Sequence, residues 1–573
     1  MSKATFDPTR YNKSGNKPFA DVLQAAMSRR SMVKGGASFA ALTMFASAGL
    51  VGCSDDDDNN ASNDSNDNTT NQPDTSSAAT LGFESIAGSK TDAVVVAAGY
   101  TAKVLAPWGT PLNSNAAPWQ PDGSNSAQDA ANSVGMHHDG MHFFALNEEG
   151  SDGLLCINHE YLDLNALHPN GPTRDPDTNL KTSAEEVRKE IFGHGVSVIR
   201  IQKTNGEWAV VENDPLNRRY TGATEMDITG PVASEPTLLQ TPYAQAGDKV
   251  RGTLNNCGNG YTPWGTYLTC EENWPGYFVN TATRPDDQVR IGLSDDESRY
   301  GWDDVAGDPS EADGEFTRFD VSIKAASAAE DYRNEANGHG YIVEIDPFTA
   351  NSRAIKRTAL GRFRHEGCVF ANLKEGEPMV FYSGHDARFE YMYKFVSEAL
   401  WDPADANSTD RLATGSKYMD SGTLYVAIFN EDGTGRWAPL ELSTITTTGG
   451  SLADSFATQA DLILNTAGAA DLLGATPMDR PEWCAVDPIT GSVYLTLTNN
   501  TRRTEPSPAN PRIDNAYGHI IRWDEDSSGN TFSWDIFVFG APASGDADTN
   551  RSGLTEMNQF ASPDGLVFDS RGI

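Results

Sequence analysis

The stretch NNCGNGYTPWGTYLTCEENWPGYF, Asn255 to Phe278, sets Cys257 in a glycine-rich segment and follows it with an aromatic run that ends at Cys270 beside Glu271 and Glu272. Three more segments place charge just ahead of an apolar run: GRFRHEGCVF (Gly361 to Phe370), GHDARFEYMYKFV (Gly384 to Val396) and RPEWCAVDPITGSVYLTLTNN (Arg480 to Asn500). Carboxylates, a thiolate and an arginine brought together would make a hard, acidic metal site with one fixed cation. Each residue also has a plain structural reading. Cys257 and Cys270 could close a disulfide, Glu271 and Glu272 could be solvated strand-end charges, and Arg480 with Glu482 could be a salt bridge. Cys368 and Cys484 head apolar strands and read as buried core thiols.

Such a site needs elements that bring distant segments to one place. Long helical periodicity is rare after residue 81, while short β-rich runs recur around polar corners: VSVIRIQKTNGEWAVVE, GYIVEIDPFTANSRAIKR, CAVDPITGSVYLTLT and HIIRWDEDSSGNTFSWDIFV. Each reads as strand, tight turn, strand. Hairpins repeated this often without helices predict an all-β chain folded as a β-propeller, in which strand entrances converge near a central channel. A two-sheet sandwich is the alternative, although the chain is long for one. Ser294 to Glu335 reads as an insertion. The final SPDGLVFDSRGI reads as one more blade opening, so the last blade is expected to be incomplete and the chain truncated at its C-terminus.

The formal net charge of -37 argues against a nucleic-acid partner, which would need clustered Lys and Arg. An anionic substrate would need local cations to offset that field, and bound metals supply them. Arg29 and Arg30 precede a weakly apolar run that ends in LVGC, which reads as a twin-arginine signal closing in a lipoprotein box at Cys53. Ser54 to Thr80 has seven Asp and no basic or aromatic residue, the composition of a disordered tether. Residues 1–52 are thus expected to be a signal peptide, 53–80 a lipidated tether and 81–573 one catalytic propeller. Five cysteines remain beyond Cys53, so at least one thiol is outside any intramolecular disulfide. His137, His138 and His142 lie close together, but they read better as a loop opening the first blade than as a zinc site. His385 and Asp386 read as a turn rather than a nucleophilic dyad. No nucleophile elbow, P-loop or dinucleotide fingerprint is present.

The segments TPWGTYLTCEEN, RHEG, RPEW and VYLTLTNN, in that order behind GNKPFADVLQAAMSRRSMVKGG, resemble the PhoX-type alkaline phosphatases over most of the chain from about residue 12. The resemblance implies a six-bladed propeller that hydrolyses phosphate esters at an oxo-bridged cluster of ferric ions, Fe(III), and calcium ions, Ca2+. Residue by residue, it implies that Cys257 is the iron-ligating thiolate, that Glu366 and Glu482 are metal carboxylates, and that Arg480 grips the substrate phosphate. Glu271, Glu272 and Asp564 of PDG would be further metal ligands. The expected protein is a monomer exported through the twin-arginine translocase, lipid-anchored on the periplasmic or cell-surface face of a bacterial membrane. Two rival readings remain open at this point: a calcium-dependent propeller esterase or lactonase, and a non-catalytic surface lipoprotein braced by calcium.

Overall fold

Corner chemistry sets the local structure. At Asn205-Gly206 both residues take positive φ, 52° and 87°, as a two-residue hairpin turn requires, and the flanking strands Gly195–Thr204 and Glu207–Val210 pair antiparallel. Two other corners use an aspartate as the hinge. Asp346 accepts from the Phe348 N–H (2.9 Å) and the Thr349 hydroxyl (2.7 Å), and Asp487 accepts from the Ile489 N–H (2.8 Å) and the Thr490 hydroxyl (2.7 Å). All four hairpins expected from sequence are formed.

The computed structural model describes residues 81–573, which divide between two compact units. Residues 81–102 belong to the smaller unit, where Phe83 meets Tyr100 edge-on at 5.6 Å. Arg29, Arg30, Cys53 and the acidic tether lie outside the described residues. The larger unit holds three sheets and a few short helices.

In the first sheet His138–Ala145, Asp152–His159, Gly195–Thr204 and Glu207–Val210 follow one another, with Arg218–Tyr220 also on Gly195–Thr204. The second runs Asn256–Tyr261, Tyr267–Glu271, Ile342–Ile345 and Ile355–Arg357, then takes in Glu225–Thr229 and Val250–Arg251. The third is two meanders in one nine-stranded sheet: His365–Phe370 through Thr434–Pro439, and Pro481–Val486 through Thr531–Phe539. They join where Thr434 pairs with Ser533 and Arg436 with Thr531. Apolar side chains on these strands, among them Leu154, Val196, Tyr267, Ile342, Tyr393 and Val426, are wholly buried in one cluster. At about 1.5–3 kcal/mol for each such side chain, this packing makes the sheets a rigid frame.

The four strands that begin the meanders lie side by side. A Cβ on Gly140 would sit 2.7 Å from the Cys257 carbonyl oxygen, and one on Gly258 would sit 2.4 Å from the Gly367 nitrogen. Only glycine allows backbones this close. Radially arranged meanders with their first strands innermost make the fold mostly β and propeller-like.

Residues 294–335 hold no strand; they form 3-10 turns whose Trp302, Phe316 and Phe319 pack against Trp274 and Tyr277. The expected insertion is therefore clasped to the stretch that carries Cys257. Leu566–Phe568, expected to begin a strand, pair with none; Phe568 meets the Tyr494 ring at 5.1 Å. Among the described residues no helix is long and apolar enough to cross a membrane.

Candidate active site

Each innermost strand is bulged at the same place. Register slips between His138 and Met141, Asn256 and Asn259, Glu366 and Val369, and Pro481 and Cys484. A bulge re-aims the side chain beside it. The second residue of each strand is Asp139, Cys257, Glu366 or Glu482, and these four enter one cluster. A second tier follows the paired strand: Glu160 comes directly after Asp152–His159, Glu272 after Tyr267–Glu271, and Asp386 after Pro378–His385.

The ligand atoms form three overlapping groups, each within 4.8 Å: Asp139, Glu160 and Cys257; Cys257, Glu272 and Glu366; and Glu366, Glu482 and Asp564. Each group could hold a metal ion, and the shared Cys257 and Glu366 suit a multinuclear site. Cys257 Sγ lies 3.2 Å from Asp139 Oδ2. Glu366 is wholly buried, and neither of its carboxylate oxygens has a hydrogen-bond donor; Asp386 Oδ1 is in the same position. A buried carboxylate with nothing to pair it costs several kcal/mol, so this donor set fits a cation.

Electrostatics point the same way. Burial, then Glu482 and Glu272, push Glu366 well above the usual carboxylate range; burial, then Asp386 and Glu160, do so for Glu272. Burial and Asp139 raise Glu160 to about 8, and burial with Glu366 and Glu272 raises the Cys257 thiol. A bound cation inverts this and holds the same groups ionised.

One guanidinium faces the acids. Arg480 Nη2 lies 2.5 Å from Asp386 Oδ2 and 3.0 Å from Glu482 Oε1, with about three-tenths of the side chain (29%) still exposed. Its backbone is left-handed (φ 59°), and Phe389, three residues past Asp386, is left-handed too (φ 71°). Strain of this kind, about 1–3 kcal/mol per residue, collects where geometry serves function.

Neighbouring strands hold the bulges from behind. Asn158 Nδ2 donates to the carbonyls of Cys257 (2.7 Å) and Gly258 (2.9 Å), the Ser383 hydroxyl donates to the Gly367 carbonyl (2.8 Å), and the Thr496 hydroxyl accepts from the Trp483 N–H (3.0 Å) while donating to the Asp564 carbonyl (2.8 Å).

The sequence expectations sort cleanly against this geometry. Cys257, Glu272, Glu366, Glu482, Asp564 and Arg480 are brought together. Glu271 is not. It points away from the cluster and is buried as an ion pair with Lys356 Nζ (2.7 Å), also accepting from the backbone N–H of Gly340 and Tyr341. Burial would raise its pKa, but Lys356 and His339 outweigh burial and hold it at about 2. Adjacent residues on a strand face opposite ways, so Glu271 and Glu272 could not share one role. Cys257 and Cys270 are both free thiols, and Cys368 and Cys484 are buried as expected.

Asp139, Glu160 and Asp386 were missed in the sequence. Asp386 is more than the turn residue expected, since it grips Arg480. The overlooked signal is an acid before glycine at a strand start, in HDG as in HEG, and an acid straight after a strand, in HE, EE and HD. The histidines of MHHDGMH do not converge: His138 Nε2 is 3.1 Å from the Gly135 carbonyl, while His142 stacks on Tyr261 at 4.2 Å.

A propeller-like β fold whose innermost strands gather acids, a thiol and an arginine defines a class: a hydrolase with a metal-accepting anionic centre. Within it, this chain belongs to the PhoX alkaline phosphatase family, whose model, alkaline phosphatase PhoX, matches residues 81–573. It is similar to a solved structure, Pseudomonas fluorescens PhoX in complex with vanadate, a transition state analogue, at 39% identity and a TM-score of 0.75, covering 86% of this chain and 82% of that one. No curated protein matches. The chain is therefore an alkaline phosphatase, and the esterase, lactonase and non-catalytic readings fall away.

Proposed function

We propose that the enzyme hydrolyses phosphate monoesters at a cluster of ferric and calcium ions held by Asp139, Glu160, Cys257, Glu272, Glu366, Glu482 and Asp564. The observation that carries this reading is Glu366, which belongs to two of the ligand groups and has both oxygens buried without a donor. Cys257 is the one soft donor and suits iron, while the carboxylates suit calcium. When bound, such ions would offset the charge that grows on the phosphoryl oxygens.

The chain's own residues account for binding and aim. Arg480, held by Asp386 and Glu482 with part of its fork exposed, is placed to take two phosphate oxygens in a bidentate clamp. Asn158, Ser383 and Thr496 fix the bulges that carry the acids, so the site is set before substrate arrives. Vanadate bound to the Pseudomonas fluorescens relative supports a phosphoryl-transfer centre in the same fold.

The remaining features of the proposal are a six-bladed propeller, a monomer, twin-arginine export and a lipid anchor at Cys53 on the periplasmic or cell-surface face of the membrane. Arg29, Arg30 and the LVGC box support the export route. The deciding test is elemental analysis of protein exported by the twin-arginine route, alongside Cys257→Ala. Iron and calcium in the parent, with iron lost from the variant, are expected; calcium without iron in both would overturn the mixed cluster.

A further inference from the structure

Arg299 sits in the 294–335 insertion with an exposed side chain and forms no ion pair with a carboxylate among the described residues. Its backbone N–H donates to the Gly276 carbonyl at 2.7 Å, and the next residue, Tyr300, is buried with its ring stacked on Trp302 at 5.4 Å. Held this way, the Arg299 guanidinium lies 4.7 Å above the ring of Tyr161. Tyr161 directly follows Glu160, and its hydroxyl accepts from Asn273 Nδ2 at 3.0 Å; the same amide also donates to Glu272. Two steps thus link an open cation to two acids of the centre.

That placement is unusual for its charge. The chain carries a formal net charge of -37, and Arg480, the cation inside the site, is held by Asp386 and Glu482 and assigned to the transferred phosphate, not to a second anionic group. A guanidinium stacked on an aromatic face keeps its edge N–H groups free for a second anion. We propose that Arg299, carried on Tyr161, is a leaving-group subsite that selects phosphate monoesters bearing a further anionic group, a carboxylate or second phosphate, beyond the ester oxygen. The proposal rests on the phosphatase reading and adds substrate selection to it.

The test compares kcat/KM for 3-carboxyphenyl phosphate with that for 3-carbamoylphenyl phosphate, whose ring substituent is uncharged, on the metallated enzyme. Absence of turnover on both would count against the phosphatase reading itself, whereas the change of the ratio between parent and Arg299→Gln reports on the subsite, because the difference in leaving-group acidity cancels. In the parent, the carboxylate ester is expected to be favoured about fivefold or more at low ionic strength, with the preference shrinking as salt is added. Arg299→Gln should cut the ratio about tenfold, mainly through KM, and Arg299→Lys should recover part of it. A parent ratio that does not fall as salt is added overturns the subsite without recourse to any variant. A ratio that moves less than twofold in Arg299→Gln overturns it as well.

Discussion

Two neighbouring carboxylates, Glu271 and Glu272, are both buried, yet they sit in opposite worlds. Glu271 faces Lys356, His339 and two backbone N–H groups, so its charge is met from within the chain. Glu190 is treated alike, between Lys181, His168 and the Trp302 indole. Glu272 instead faces Asp386, Glu160 and Glu482, which add to burial in pushing its pKa up, where the partners of Glu271 outweigh burial and bring it down. The difference separates acids that hold the fold from acids that await a ligand: the first bring their own cations, while the second are left short of them. Burial alone does not distinguish the two, because Glu271 and Glu190 are as buried as Glu272 and Glu366. The sign of the neighbouring charge does.

The comparison predicts different failures on its two sides. The largest effect is expected at the cluster: Glu366→Gln should lose metal and about a thousandfold in kcat/KM with the thermal unfolding midpoint of the metal-free protein hardly lowered, since removing one of several crowded acids relieves repulsion. Elemental analysis with calorimetry checks this, and retained metal with full activity would dissolve the distinction.

On the structural side, Lys356→Met strands Glu271 and should destabilise the fold by about 3–5 kcal/mol. Because Glu271 is held at about 2, below its unfolded value, the stability from this pair is present above about pH 4.5 and is lost as pH falls toward 2. Denaturant titrations of parent and variant should therefore converge in acid; a gap that persists there would mean that packing, not charge, is at stake. Turnover per folded molecule should stay within about twofold.

A smaller change sharpens the comparison from within the cluster. Arg480→Lys keeps the charge beside Asp386 and Glu482 but gives up the fork, so kcat/KM should drop about a hundredfold with metal content kept. Loss of metal instead would make Arg480 a brace for the acids.

How much of this was legible in the residues differs by level. Hairpin corners such as Asn205-Gly206 and Asp487 to Thr490 could be read directly, because turn geometry depends on a few adjacent residues. Glu366 and Glu482 stood out because each sits at the head of an apolar run. Asp139 did not, because the histidines beside it drew attention to zinc chemistry; Glu160 lies in a segment that no motif marked, and Asp386 passed as a turn. Glu271 was assigned to the wrong side because a pair of acids in sequence does not say which one faces in.

The sequence by itself determined the β-rich pattern, the turn chemistry, the acidic character of the chain and the residue types from which a phosphatase centre could be drawn. Tertiary structure alone decided which acids meet. The choice depends on bulges in four innermost strands and on where Lys356 falls, contacts between segments far apart in the chain that local pattern does not encode. Which carboxylate carries a free charge is a property of the field around it, and that field exists only once the strands are packed.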